Sequence, residues 1–589
     1  MVVVHIIHEH EGKRIEGESA GHDAGSFLLT NAKGYCSFCP GMVVASKFNG
    51  LVQDGWKLID NLLLPGAETV TVLHRPTIAK RQRQTGATET FRLSPDAFHY
   101  DVSRHEGEIL LDLDMRPIGD ETTDGRYYYQ HLEQDTLIVR YVQQKHERYL
   151  VIKGIAGYRE ISEWQERQYP YDARRGDSSR FWVWRAGAVT VHGDAHLVIA
   201  QAPVLEQALD RARQARMQVL LEEPDLHTEK EASSPLEAAL ALAALDSQLL
   251  KDDARFLAGT PWFRQTWSRD ELICLRALII AERFTLVKRV LLRYYAGLHG
   301  PMFWAMPPDK GQLAVDALGW LAKRTHDLFL ALQERDLLDT TFSNLELRLV
   351  RDRMAAALEC LFAEHAKDGL IVNGPSETWM DAVYDGDDRA GARIEIQALT
   401  LAAIRLVTWL DERSGQGASW RQRGDEYAVR VREAFFKDGK LWDSAEDATQ
   451  RPNVFLAFYV APELLAHEEW VTAFDAALSA LWLDWGGLSS IDVKHPLFQQ
   501  WYSGKDDRSY HRGDSWYWVN ALAGICLSRV DSERWHVTID RLRDACLADL
   551  LWQGAVGHCS ELSSAAEQEW GGCFAQAWSA AMLYELLKE

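Results

Sequence analysis

Nowhere in the 589 residues is there a run of the ~18 consecutive apolar residues that a membrane-crossing helix needs. Basic residues are the next shortage: 64 Lys and Arg stand against 86 Asp and Glu, a formal charge of −22. So acidic a chain repels phosphate backbones and anionic lipid surfaces, so neither nucleic acid nor a membrane is an expected partner and a neutral or cationic ligand is. Cysteine is scarce at eight, and the one close pair is Cys36 and Cys39 in "GYCSFCP". A single CxxC with neither a second pair nor a histidine cluster reads as two reduced cysteines in a turn; no metal or cofactor is expected. The opening "MVVVHIIHEHEGKR" lacks the basic n-region and cleavage-like site of a signal peptide. It reads as a first strand, and a cytoplasmic location is the expectation. What the chain has in quantity is tryptophan, 22 in all. Indole offers a broad apolar face and one N–H donor, which suits stacking on sugar rings as well as core packing.

The length calls for more than one domain, and the hydrophobic period divides the chain. Up to about residue 200 it consists of short alternating runs: "AETVTVLHR" (67–75), "EILLDLDMRP" (108–117), "TLIVRYV" (136–142), "RYLVIKGI" (148–155) and "AHLVIAQA" (195–202). Such runs predict a β-sandwich over residues 1–202. From Pro203 the period becomes helical in "VLEQALDRARQARMQVLL", and "EEPDLHTEKEASSP" (222–235) has a linker's composition, so 203–235 is expected to be a helical linker. Residues 236–589 carry roughly a dozen amphipathic patterns. Twelve helices make six hairpins, which can close into a double ring, an (α/α)6 toroid, with a funnel lined by the loops leading into the inner helices.

Four polar-aromatic stretches fall at helix junctions far apart in sequence: "TPWFRQTWSRDE" (260–271), "SETWMDA" (376–382), "YHRGDSWYW" (510–518) and "GHCSELSS" (557–564). In a closed ring they converge on one mouth. Inverting hydrolysis of a glycosidic bond needs a protonated carboxyl for the leaving oxygen and an ionised carboxylate to activate water from the opposite face, about 6.5–9.5 Å away. Two loops facing each other can supply such a pair. The candidates are Asp381 as general acid, walled by Trp379, and Glu561 as general base, with Glu377 a rival acid one helical turn before Asp381. Each Asp taken singly could equally be a helix cap; the convergence of four loops favours a site. Arg269 and Asp270 are suited to gripping adjacent hydroxyls of a terminal sugar. Trp262 and Trp267 would form stacking walls. Trp516, Trp518 and Trp578 could do so too, although their helical spacing also suits the core.

Together these stretches resemble the amylo-α-1,6-glucosidase (glycogen debranching enzyme) family. "TWMDA" followed by "DRAGARIEIQAL" is similar to that family's TWMD and P-R-x-G-x-x-V-E-I-N-A-L, and "PWF" then "WSRD" to its P-W-F-x-D-W-G-R-D. "VDALGW" resembles D-A-x-L-W, "RPNVFLAF" and "GLSS" resemble R-P-N-Q and G-L-R-T, and "YHRGDSWYW" resembles Y-H-x-G-x-V-W-P-W. "SELSS" with "GGCFAQAWS" is similar to S-E-L with G-C-x-A-Q-A-W-S, and "SFLLTNAKGYCSF" to the family's W-L-x-T-N-G-L-G-G-Y-A-S.

The resemblance implies a β-sandwich followed by an (α/α)6 toroid, and exo-acting, inverting removal of α-1,6-linked glucose stubs from glycogen, limit dextrin or an α-glucan oligosaccharide. It makes Asp381 the acid and Glu561 the base, and gives Arg269 and Asp270 the terminal glucose. Asp316, Glu395, His511 and Gln576 match further motif positions, which places them in or just behind the pocket. No stretch corresponds to a separate transferase barrel, so branches trimmed elsewhere are the expected substrate. Ser268, Gln265, Thr266, Gln397, Asp514 and Tyr517 depart from the motifs, which leaves room for another α-glucoside, such as an α-1,4 oligosaccharide, trehalose or glucosylglycerate. A non-catalytic carbohydrate-binding protein is the third reading.

Overall fold

The computed structural model describes residues 3–20, 24–39, 43–66, 68–122, 124–217, 235–298, 303–304, 313–415, 417 and 419–589. The chain divides into two compact units, Met1–Gln248 with Ala548–His558, and Leu249–Leu547 with Cys559–Glu589.

Two long strands, Phe98–Pro117 and Arg180–Ala202, organise the first unit, and each contributes to two sheets. In one sheet the order is Arg126–Glu133, Thr136–Gln143, His146–Lys153, Arg180–Ala202, Phe98–Pro117, Thr88–Leu93, Ile78–Arg83, Thr69–Arg75, Val3–His10 and Lys13–Ala20. In the other, the first half of Arg180–Ala202 pairs with Gly157–Gln168. The second half of Phe98–Pro117 pairs with Trp56–Leu63, and Gly50–Gln53, Gly34–Phe38 and Phe27–Asn31 follow. Register shifts between Val102 and His105, and between Leu111 and Asp112, mark bulges, which bend and twist a strand enough to pass from one sheet to the next. Phe38, Leu111, Val139, Val189 and Ile199 belong to the core shared by the two sheets, so the unit is a β-sandwich. The runs expected at 108–117 and 195–202 are the ends of these two strands; the polar "SRHEGE" between residues 103 and 108 interrupts the apolar alternation that marks a strand in sequence.

The expected linker needs correction where the structure describes it. Helix α1 (Leu205–Met217) packs Ala208, Ala212 and Ala215 against Val151, Val198, Ala200 and Ala202 on the sheet's outer face. Small residues on both sides allow that close approach, and α1 is part of the sandwich unit. Residues 218–234 of the expected linker lie outside the described residues. Helix α2 (Leu236–Asp246) also groups with the first unit. The boundary therefore falls at Gln248 and not at residue 235. Ala548–His558 joins the sandwich through Val556 N, which donates to Ser26 O (2.9 Å), and His8 Nε2, which is 2.8 Å from Leu551 O.

The helices that follow are α3 (Ser268–Ile280), α4 (Phe284–Gly297), α5 (Asp316–Gln333), α6 (Asn344–His365), α7 (Ile394–Ser414), α8 (Ser419–Phe435), α9 (Asn453–Val460), α10 (His467–Leu481), α11 (Tyr517–Asp531), α12 (His536–Trp552) and α13 (Ala577–Leu586). The odd-numbered ones close a ring in chain order, with α13 packed back on α3, while α4, α6, α8 and α10 pack outside it. Burial follows the same division. Every residue of α13, and of α11 from Tyr517 to Leu527, is buried, whereas α8 buries one stripe, Trp420, Tyr427, Val431 and Phe435. A helix apolar all round belongs between others and a one-sided helix belongs at the surface. Among the described residues no helix is long and apolar enough to cross a membrane.

Candidate active site

The sequence around Trp267, Arg393, Trp516 and Gln576 starts four inner helices without a side-chain cap, each of these residues being extended at the N-cap position. Trp267, Trp516 and Gln576 instead line a cavity of about 300 Å³ inside the helical unit. Its other lining residues are Ala258, Phe263, Arg269, Asp270, Trp379, Asp381, Ala382, Asp507, Tyr510, Glu561 and Trp578.

Neither Asp381 nor Asp270 is a helix cap. Asp381 lies in an irregular loop well before α7, whose N-cap is Arg393, and Asp270 sits in the first turn of α3 behind the N-cap Trp267. The stretch from Glu377 to Asp381 is not helical, so the one-turn relation between them does not hold. Asp381 is 23 % exposed and lies 3.5 Å from Arg269 Nη1 on one side and 3.5 Å from His511 Nε2 on the other. Burial lowers the His511 pKa to about 4, so it is neutral at neutral pH. His511 stacks on Trp516, with centroids 5.0 Å apart, and meets Trp379 edge-on. Trp379 in turn donates to Asn453 Oδ1 (2.7 Å). Aromatic packing thus fixes the imidazole that faces Asp381.

Glu561 is held differently. Its Oε1 accepts from the Tyr510 hydroxyl and its Oε2 from Cys573 N (2.7 Å). A carboxylate accepting on both oxygens has the arrangement of the ionised form. Gly572 makes this possible: at φ +68, a Cβ there would come within 2.3 Å of Glu561 Oε2. The small sheet of Ser515–Trp516, Leu562–Ser563 and Trp570–Gly571 sets the register between the two loops.

Arg269, buried at 2 % exposure, donates Nε to Asp316 Oδ2 (2.5 Å), and Gln576 Nε2 donates to Asp270 Oδ1 (3.1 Å). Burial pushes Asp270 up to about 7; Arg269 opposes the rise, while Asp381 and Glu561 add to it. Burial likewise raises Asp316. Four polar atoms on cavity-lining side chains, Arg269 Nη2, Gln576 Oε1, Trp267 Nε1 and Trp578 Nε1, are buried with no partner among the described residues. Buried polar groups almost always have partners, so these four atoms are unmet hydrogen-bonding capacity in the side chains around the cavity.

Of the fifteen candidate residues, Trp267, Arg269, Asp270, Trp379, Asp381, Trp516, Glu561, Gln576 and Trp578 line the cavity, and Asp316 and His511 stand directly behind it. Four do not join them. Trp518 is buried in the core, stacked on Trp578 with centroids 5.0 Å apart. Trp262 packs edge-on to Phe574, and its neighbour Phe263 takes the lining position. Glu377 Oε2 is occupied by Gly374 N (2.6 Å) in its own turn. Glu395 is buried against Arg389 at the start of α7. Tyr510 and Asp507 are lining residues that the spacing did not single out. Tyr510 stands beside His511 in a quoted motif, and Asp507 lies in a turn with no motif at all. None of the six departures from the family pattern lines the cavity; Gln397, for example, hydrogen-bonds Ile371 N and O (3.0 and 2.8 Å).

The model of the family described as amylo-alpha-1,6-glucosidase matches residues 241–585. No curated relative matches the chain in sequence. Among solved structures, a bacterial glucoamylase complexed with acarbose is similar in fold, with a TM-score of 0.63 at 10 % identity over 96 % of this chain and 93 % of the glucoamylase. A mannosylglycerate hydrolase from Thermus thermophilus in complex with glucose gives a TM-score of 0.42 at 16 % identity, over 60 % of this chain and 100 % of its own. A glycosidase in complex with glucose gives 0.45 at 13 % identity, over 60 % and 96 %.

Proposed function

The chain belongs to the amylo-α-1,6-glucosidase family of glycoside hydrolases, and from that premise we propose that it is an exo-acting, inverting α-1,6-glucosidase that removes single glucose stubs from branched α-glucan and releases β-glucose. The observation that carries this reading is the meeting of Asp381 and Glu561 in one cavity that Arg269 and four tryptophans also line. Glu561, held by Tyr510 and Cys573 N, takes a proton from the attacking water as it adds to C1. Asp381 gives a proton to the departing glycosidic oxygen. Arg269 and Asp270, steadied by Asp316 and Gln576, grip hydroxyls of the terminal glucose, and Trp267, Trp379, Trp516 and Trp578 enclose its ring. The cavity, at the small end of the range for ligand pockets, suits one terminal unit better than an internal stretch of polymer.

The test is to incubate the pure protein with panose, isomaltose, maltose, trehalose and glucosylated limit dextrin and to follow the first anomer released by NMR. β-Glucose from the α-1,6 substrates alone supports the proposal. Release from maltose or trehalose moves the activity to another α-glucoside, α-glucose as the first product removes the inverting mechanism, and no release from any substrate removes the enzyme reading.

A further inference from the structure

The cavity holds one carboxylate unlike the others. Asp270 and Glu561 are buried, at 5 % and 1 % exposure, whereas Asp507 is exposed. Its backbone is left-handed, with φ +58, at the end of the short turn Gly504–Asp506. Non-glycine residues hold that conformation at a cost, which Asp bears better than most. Fully buried Arg512 braces the turn, donating Nη1 to Asp507 O (3.4 Å), Nη2 to Ala382 O (2.9 Å) and Nε to Asp387 Oδ2 (2.9 Å). One guanidinium thus ties the turn carrying Asp507 to the loop carrying Asp381. The neighbouring Asp506 is spent on Arg508 (2.7 Å). The Asp507 carboxylate makes no ion pair or hydrogen bond among the described residues, and partial desolvation by the surrounding cavity wall together with the Asp381 charge raises its pKa.

We infer that Asp507 is a specificity-determining residue for the leaving group: its carboxylate accepts hydrogen bonds from hydroxyls of the sugar on the departing side and selects neutral, polyhydroxylated leaving groups over aryl, alkyl or anionic ones. The inference rests on the proposed role of Asp381. The acid's proton goes to the glycosidic oxygen, which leaves with the outer sugar, so an acceptor braced beside the acid and nearer solvent meets that sugar and not the terminal glucose. An anionic leaving group would meet a cavity already crowded with Asp270, Asp381, Asp507 and Glu561.

The experiment compares wild type with Asp507→Gly and Asp507→Asn on panose, α-glucosyl fluoride and glucosylglycerate. The fluoride has no sugar on the departing side. Losing a hydrogen bond to a charged group lowers the ratio of kcat/KM on panose to that on the fluoride by about tenfold. The loss appears mainly in KM, and the rate on glucosylglycerate relative to panose rises in both variants. Asp507→Gly relaxes the backbone, so its thermal midpoint stays at or above wild type and a misfolded variant is recognised as such. A ratio unchanged in both folded variants, or parallel losses on panose and fluoride, overturns the inference and leaves the glucosidase proposal standing. Wild-type protein inert on every α-glucoside, the fluoride included, overturns both.

Discussion

The β-sandwich and the helical ring each bury a cluster of charges, with opposite balance. In the sandwich, Asp60, Asp112 and Asp114 meet Lys57, Arg116, Arg126, Arg167 and Arg185, with Lys57 2.6 Å from Asp60 and 3.2 Å from Asp114. Burial alone would raise Asp114, but Arg116, Lys57 and Arg126 hold it well below the usual carboxylate range. In the ring, Asp270, Asp316 and Asp381 gather around Arg269 with Glu561 in the same cavity, and burial raises Asp270 to about 7. A cluster in which cations satisfy every carboxylate is structural. One with more carboxylates than cations keeps a proton near neutral pH and has lone pairs to spare, which are the properties of a site.

The sharpest way to break this contrast is at the ring's catalytic candidates. Asp381→Asn and Glu561→Gln should each lower kcat by about a hundredfold to ten-thousandfold while glucose still binds, as measured by β-glucose release and by calorimetric titration. Near-normal activity in either would return the ring cluster to a structural role. A second comparison removes one cation from each cluster. Lys57→Met leaves Asp60 and Asp114 short of charge and should cost about 3–5 kcal/mol in urea unfolding, with kcat/KM of the folded enzyme unchanged. Arg269→Met should cost less stability, because burial already raises Asp316 and Asp270 and either can take up a proton once the guanidinium is gone, yet should abolish tight sugar binding.

The next test is pH. The folded protein keeps a proton on Asp270 that the unfolded chain releases near pH 4. This contribution to stability is therefore full below about pH 4 and is lost as the pH rises through about 7. Asp270→Asn should flatten that decline by an amount on the order of a few kcal/mol, seen in urea midpoints from pH 4 to 8. The smallest effect belongs to Glu377→Gln. With its carboxylate tied to Gly374 N and outside the cavity, kcat should stay within about threefold of wild type. A collapse in rate would exchange the acid assignment.

Much of this was legible in the residues, and the misses have local causes. The change of period near residue 200 separated strands from helices because alternation and 3.6-residue spacing are written in side chains a few positions apart. The strand Phe98–Pro117 shows only its ends in sequence because polar "SRHEGE" occupies its middle, and Arg180–Ala202 is interrupted in the same way by "HGD" at 192–194. Helix α1 has the sequence character of a linker because its buried face is alanine, which carries little hydrophobic signal. Asp507 lies in no motif and nothing in its neighbours' spacing marks a lining residue; only its position around the cavity does.

By itself the sequence determined where strands give way to helices and which junctions carry Trp, Asp, Glu and Arg, since these depend on propensity and periodicity over a few residues. Only the tertiary structure decided that residues 269, 381, 507 and 561 share one cavity while 377 and 395 do not. That choice depends on how six helices close on one another, a sum of long-range packing that no short window of sequence contains.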